Sequence, residues 1–185
     1  MDNGASSYRR FLDGDDNGFV EIIKDYKDGL MFYINGLVCD LHIAEELTEE
    51  TFVRIVTKKP RFSGKSSFKT WLYAIGRNVA LDFLRKRSKL KEISAEECLD
   101  LAAEETDFEK EFLKEERKIL LHRAMCSLKP EYRQVLQLVY FEDFSNKEVA
   151  MVMKKSVHNI EVLVSRARKA LKQELEKEDF VYEDI

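Results

Sequence analysis

The chain has 185 residues, 44% of them hydrophobic and 36% charged, with a formal net charge of −4 at pH 7. That balance suits a soluble, helix-rich protein rather than a disordered one, and 7 Gly with 2 Pro leave too few turn breakers for an all-β fold. No apolar run approaches the roughly 20 residues that cross a bilayer, and the opening MDNGASSYRRFLDGDDNG lacks the apolar centre of a signal peptide, so a cytoplasmic chain is expected.

In chain order, residues 19–37 place Phe19, Ile22, Ile23, Tyr26, Leu30, Tyr33, Ile34 and Leu37 at steps of three and four. This predicts an amphipathic helix, with Gly29 a candidate break. Residues 42–58 predict a second helix, with Leu47, Thr51, Phe52, Ile55 and Val56 inward and Glu45, Glu46, Glu49 and Glu50 outward. Pro60 stops it, because proline disfavours helical geometry in the residue ahead of it. RFSGKSS follows as a loop. Its GKSS is no phosphate-binding loop, since Lys59 stands where that motif needs its first glycine and no strand precedes it.

FKTWLYAIGRNVALDFLRKR, residues 68–87, predicts a third helix with two faces. At about 100° per residue, Phe68, Trp71, Leu72, Ile75, Val79 and Phe83 form a core face. Thr70, Tyr73, Arg77, Leu81 and Leu84 gather opposite, with Asn78 and Arg85 at the margin. Residues 54–91 hold twelve Lys or Arg against one acid, Asp82, a net +11 over 38 residues. Cations that hold phosphates, beside rings and guanidinium planes that stack on bases, suit an opened nucleic-acid strand. A solvated basic face is the competing reading.

Residues 92–109 reverse the charge, with eight Asp or Glu and no base. They predict an acidic linker that becomes ordered only on a partner. A second helical unit follows over 110–176, with Pro130 early in a helix and a capping box at Ser145-Asn-Lys-Glu148. Helices over about 145–153 and 157–175 should pack through Val149, Ala150, Met153, Val157, Ile160, Leu163 and Ala167. They would expose Asn159, Arg166, Arg168, Lys169 and Lys172, with Lys154 and Lys155 just ahead. That is a helix-turn-helix pattern, whose second helix enters the major groove, although any three-helix bundle shares its periodicity. The fold expected is therefore all-α: two small helical domains, 8–91 and 110–176, on an acidic tether. Cys39, Cys98 and Cys126, and His42, His122 and His158, lack metal-ligand spacing, and the cysteines read as free buried thiols.

AEELTEETFVRIV (44–56), residues 62–87 and LKPEYRQVLQLVYFEDFSNKEVAMVM with SRARKAL (128–171) together resemble bacterial sigma-70 factors of the extracytoplasmic-function group. The three blocks keep that family's order and spacing over about three-quarters of the chain. The resemblance implies a region 2 helical bundle, a linker and a region 4 helix-turn-helix. It also implies a dissociable RNA polymerase subunit that selects promoters, without cofactor, metal, catalytic residue or membrane insertion. The implied partners are the polymerase core, through its β′ coiled coil and β flap, promoter DNA and an anti-sigma factor.

Carried over by position, Glu45, Glu46, Glu49 and Arg54 would dock on polymerase, Glu49 standing where the family often has Gln. Arg61, Phe62, Ser63, Gly64, Lys65 and Ser66 would form the loop that captures a base of the −10 element. Trp71, Tyr73, Arg77, Asn78, Asp82, Arg85 and Lys86 would line the strand path, Trp71 serving core or DNA equally well. The linker would lie along polymerase or act as a solvated spacer. For the −35 element the matching positions are Ser145, Lys154, Lys155, His158, Asn159, Glu161, Val162, Arg166, Arg168 and Lys169. Here the chain departs from the family, with Lys154 for the usual turn Gly and Glu161-Val162-Leu163 for the usual Lys-Ser-Arg. Asn159 pairing with adenine and Glu161 accepting from cytosine are ordinary major-groove contacts. Two other readings compete: a stand-alone helix-turn-helix regulator, and a nucleic-acid enzyme. The basic region argues against the latter, having Asp82 as its one acid and no His to build a metal pair or a general base.

Overall fold

The computed structural model describes residues 3–93 and 112–177, which are helical apart from short turns. Four helices make the first unit: α1 (Asn3–Leu12), α2 (Asp16–Val38), α3 (Leu41–Lys58) and α4 (Phe68–Ile93). α1 goes beyond what periodicity predicts, because Tyr8 and Phe11 are its buried large residues and Gly4 and Ser7 complete the inner face. At the α1–α2 corner the Asp15 carboxylate accepts from the Asn17 amide at 3.0 Å. A Cβ at Gly18 would stand 2.3 Å from the Ser7 carbonyl oxygen, so the corner closes only over a glycine.

α2 is continuous through Gly29, the candidate break. That glycine instead leaves room for a side chain of α4, since a Cβ there would lie 2.6 Å from the Tyr73 hydroxyl. Asp40 caps α3, accepting from the Ile43 amide at 3.1 Å. α3 ends at Lys59 in the left-handed conformation, φ 40°, directly before Pro60 as expected. Val56, expected inward, is 36% exposed beside Val53 at 58%. Phe52 and Ile55 complete the buried line, and Val56 falls one step past it. α4 opens on Ser67, whose hydroxyl accepts from the Thr70 amide at 3.2 Å. Its Phe68, Leu72 and Val79 are buried, and Trp71, Ile75 and Phe83 pack against them, the core face anticipated.

The second unit comprises α5 (Phe112–Ser127), α6 (Pro130–Leu136) running into one π-helical turn (Gln137–Phe141), α7 (Asn146–Met153) and α8 (Val157–Lys177). Both halves of the capping box form at Ser145 and Glu148. Lys154 turns the chain between α7 and α8 at φ 55°, where glycine would be strain-free. Val149, Ala150, Val152 and Met153 of α7 meet Ile160, Leu163 and Ala167 of α8. Val157, expected in that seam, is 37% exposed, because it occupies the first position of α8, outside the α7 contact.

The two units lie against each other, α2 on α6 and α4 on α7, and their buried apolar residues form one continuous cluster. Most of the acidic segment expected as a tether lies outside the described residues, as does the expectation that it orders on a partner.

Candidate nucleic-acid interface

The sequence places a second, polar face on α4, and the structure shows what it meets. Thr70 and Tyr73 are each 1% exposed. The Tyr73 hydroxyl donates to Glu142 at 2.6 Å, and Lys69 pairs with the same carboxylate at 3.0 Å. The Lys69 ammonium also sits 5.0 Å from the centre of the Phe144 ring. Glu148 accepts from the Thr70 and Ser67 hydroxyls, both at 3.2 Å. One turn along, the Arg77 Nε donates to the Gln134 side chain at 2.9 Å. The loop from Glu142 to Glu148 and the buried side of α6 therefore cover the middle of this face.

Electrostatics follow from that cover. Burial raises the Tyr73 pKa, and the hydrogen bond to Glu142 raises it further, so the phenol stays a donor. At Glu148 burial is the largest influence and pushes the pKa up. Hydrogen bonds from Ser145, Thr70 and Ser67 together outweigh it, and the carboxyl stays below its ordinary value. Two carboxylates thus occupy an anion-attracting face.

The loop before α4 is open. Arg61, Ser63, Gly64 and Lys65 are exposed and Gly64 adopts φ 69°, while Ser66 is half-buried. Phe62 turns back, its ring 5.4 Å from Trp71 and 5.7 Å from Phe68. Trp71 is half-buried among Tyr8, Phe62 and Phe68, which favours packing for a residue the sequence left open. Past the covered zone Asn78 is half-buried, Arg85 pairs with Asp82 at 2.9 Å, and Arg85 and Lys86 are exposed.

α8 presents the second cationic surface. Ser156 caps it, accepting from the Asn159 amide at 3.2 Å. His158, Asn159, Glu161, Arg166, Arg168 and Lys169 are exposed, with Val162 half-buried between them. Lys154 is exposed at the preceding turn, while Lys155 reaches Glu131 at 3.0 Å. Ser145 is committed to capping α7. On α3, Glu46 and Glu49 are exposed, Glu45 lies 3.7 Å from Lys27, and Arg54 pairs with Glu50 at 2.6 Å. Exposed Val53 and Val56 stand among these charges, a mixed patch that the acidic pattern alone does not reveal.

Sequence reasoning brought Tyr73 and Arg77 together but missed what covers them: Gln134, Glu142, Phe144 and Glu148. The one signal was Glu148, seen as a helix cap and here used twice. Among the described residues no group of three or more His, Cys, Asp or Glu is placed to hold a metal ion. No described helix is long and apolar enough to cross a membrane.

Two family models match the chain, Sigma-70 region 2 over residues 22–90 and Sigma-70, region 4 over residues 118–171. It is 25% identical over 170 residues to the ECF RNA polymerase sigma factor SigW of Bacillus subtilis (strain 168), covering 88% of this chain and 91% of that protein. The ECF RNA polymerase sigma factor SigM of the same strain is 29% identical over 152 residues, covering 82% and 91%. In fold, the chain is similar to the sigma factor RpoE solved with the anti-sigma factor NepR from Bartonella quintana. The TM-score there is 0.71 at 23% identity, over 85% of this chain and 96% of that one.

Proposed function

The chain belongs to the extracytoplasmic-function group of the sigma-70 family, the promoter-specificity subunits of bacterial RNA polymerase, and we propose that its two units divide promoter recognition between them. α8 enters the major groove of the −35 element. Arg166, Arg168 and Lys169 hold phosphates there, and Asn159 and Glu161 face base edges. The loop of residues 61–66 and the polar face of α4 take the non-template strand of the −10 element. The exposed α3 patch, with Glu45, Glu46, Glu49 and Arg54 around Val53 and Val56, docks on the β′ coiled coil. The second unit takes the β flap. Such a subunit makes and breaks no bonds; it acts in the cytoplasm by positioning polymerase and holding an opened strand.

The observation that carries this reading is the composition of the α4 face: Lys69 and Tyr73 are held by the Glu142 carboxylate and Arg77 by the Gln134 amide, all from the second unit. Groups that bind Glu142 in the closed chain are suited to bind phosphate and base when that loop lifts away. Polymerase, by engaging both units at once, supplies the separation. The Bartonella factor was solved with an anti-sigma factor bound, and we extend that class of partner to this chain.

Replacing Arg77 or Lys65 by Ala should reduce promoter opening, read as permanganate reactivity of unpaired thymines, while core binding in a pull-down stays near wild type. Loss of core binding ahead of opening would overturn this division of labour.

A further inference from the structure

The loop of residues 61–66 is fastened at both ends, and the two fastenings differ. At its far end Ser67 opens α4 and donates to Glu148 of the second unit at 3.2 Å. At its near end Lys59 holds the left-handed conformation, φ 40°, and the Tyr8 hydroxyl of α1 donates to the Pro60 carbonyl at 2.7 Å. Tyr8 is 1% exposed. Its ring lies 5.6 Å from Phe68 and 5.2 Å from Trp71, and Phe62 approaches the same two rings at 5.7 Å and 5.4 Å. Gly4 lets α1 come this close, since a Cβ there would stand 2.5 Å from the Phe68 ring.

A phenylalanine at position 8 would serve the ring packing alone. A buried hydroxyl costs stability unless it is bonded, and its partner here, 52 positions away, is the backbone entering the loop. Burial raises the Tyr8 pKa, so the phenol keeps the proton it donates.

From this geometry we propose that Tyr8 is a positioning residue for the strand-capturing loop. Its hydroxyl fixes the Pro60 carbonyl, and its ring joins Phe62 and Trp71 in a clamp on the inner side of the loop. Arg61, Ser63 and Lys65, all exposed, are thereby presented in one conformation. The tie from Ser67 to Glu148 is lost when the second unit lifts away. The tie to Pro60 lies within the first unit and persists, so it holds the loop in the state that takes DNA. A loop fixed beforehand spares the strand the cost of ordering it. The part played in opening rests on the promoter-recognition reading, whereas the tether does not.

The test compares the full chain with its Tyr8→Phe variant, and uses Ile22→Val, a change at a fully buried position of α2, as a control for general destabilisation. Limited trypsin digestion reads the tether, because Arg61 and Lys65 are cleavage sites inside the loop. Cutting there should quicken about fivefold in Tyr8→Phe, the factor that one lost hydrogen bond gives, and stay near wild type in Ile22→Val. Promoter opening by holoenzyme, read with permanganate, should fall by a similar factor in Tyr8→Phe alone, with core binding unchanged. Wild-type cutting in Tyr8→Phe, or equal quickening in Ile22→Val, would overturn the tether. Faster cutting with full opening would overturn the positioning role. If wild-type chain opens no promoter, the promoter-recognition reading fails, and the trypsin rates still decide the tether.

Discussion

Arg133 shows how single residues hold this molecule together. The residue is 8% exposed, and its guanidinium donates to carbonyls at the ends of α2 and α5. A buried cation is tolerable only with its donors satisfied, and removing it leaves both carbonyls without that donor. Arg133→Ala should therefore destabilise the chain by about 3 kcal/mol, seen as a lower urea midpoint. Arg133→Lys should recover little, because one ammonium cannot reproduce the two-armed geometry. Glu148 yields a pH prediction. Its carboxyl is held below the ordinary value by hydroxyls of both units and its own cap. A depressed carboxylate contributes stability that is fully present above its unfolded pKa and is lost as pH falls through the folded one. Urea stability should thus fall on acidification below the ordinary carboxylate range, and Glu148→Gln should flatten that dependence. An unchanged slope would show that Glu148 is not coupled to the docked state.

At the scale of elements, α8 carries a prediction about salt. Arg168 and Lys169 are exposed on a helix whose buried side is fixed by Ile160, Leu163 and Ala167. Each phosphate contact contributes about −0.9 to the slope of log affinity against log salt. Replacing both by Ala should make holoenzyme binding to promoter DNA shallower by about 2 in that slope, with sequence preference little altered. Asn159→Ala should do the opposite, relaxing preference at one −35 position and leaving the slope in place. The helices α2, α3, α4, α7 and α8 were legible because each buries one stripe at steps of three and four, and the α7 start because Ser145 and Glu148 cap it reciprocally. α1 was hidden because two aromatics in ten residues make no periodic signal. Val56 and Val157 were misplaced at helix margins, where one residue of rotation separates core from solvent.

For the whole molecule, the contact between units could not be read from the sequence. On the α4 side its hydrogen bonds and ion pair join Ser67, Lys69, Thr70, Tyr73 and Arg77 to Gln134, Glu142 and Glu148, polar residues that a pattern search assigns to water. A hydrogen-bonded interface leaves no apolar period behind it, and residues 78 or 81 positions apart give no local sign of pairing. The consequence is functional: the face of α4 that resembles a strand-binding surface is closed in this arrangement. Glu142→Ala with Glu148→Ala should loosen it, raising the affinity of the free chain for single-stranded DNA in a fluorescence-anisotropy titration. Unchanged affinity would mean the two carboxylates do not guard that face.

Promoter selection by this chain underlies every role given to its residues above. The most direct test is run-off transcription from a library of random upstream sequences, by core enzyme with and without the full chain, the transcribed templates being sequenced. The prediction is a set of start sites that require the chain and share two spaced elements, lost when Arg77 is replaced by Ala. If core enzyme with the chain starts nowhere that core enzyme alone does not, the account is contradicted.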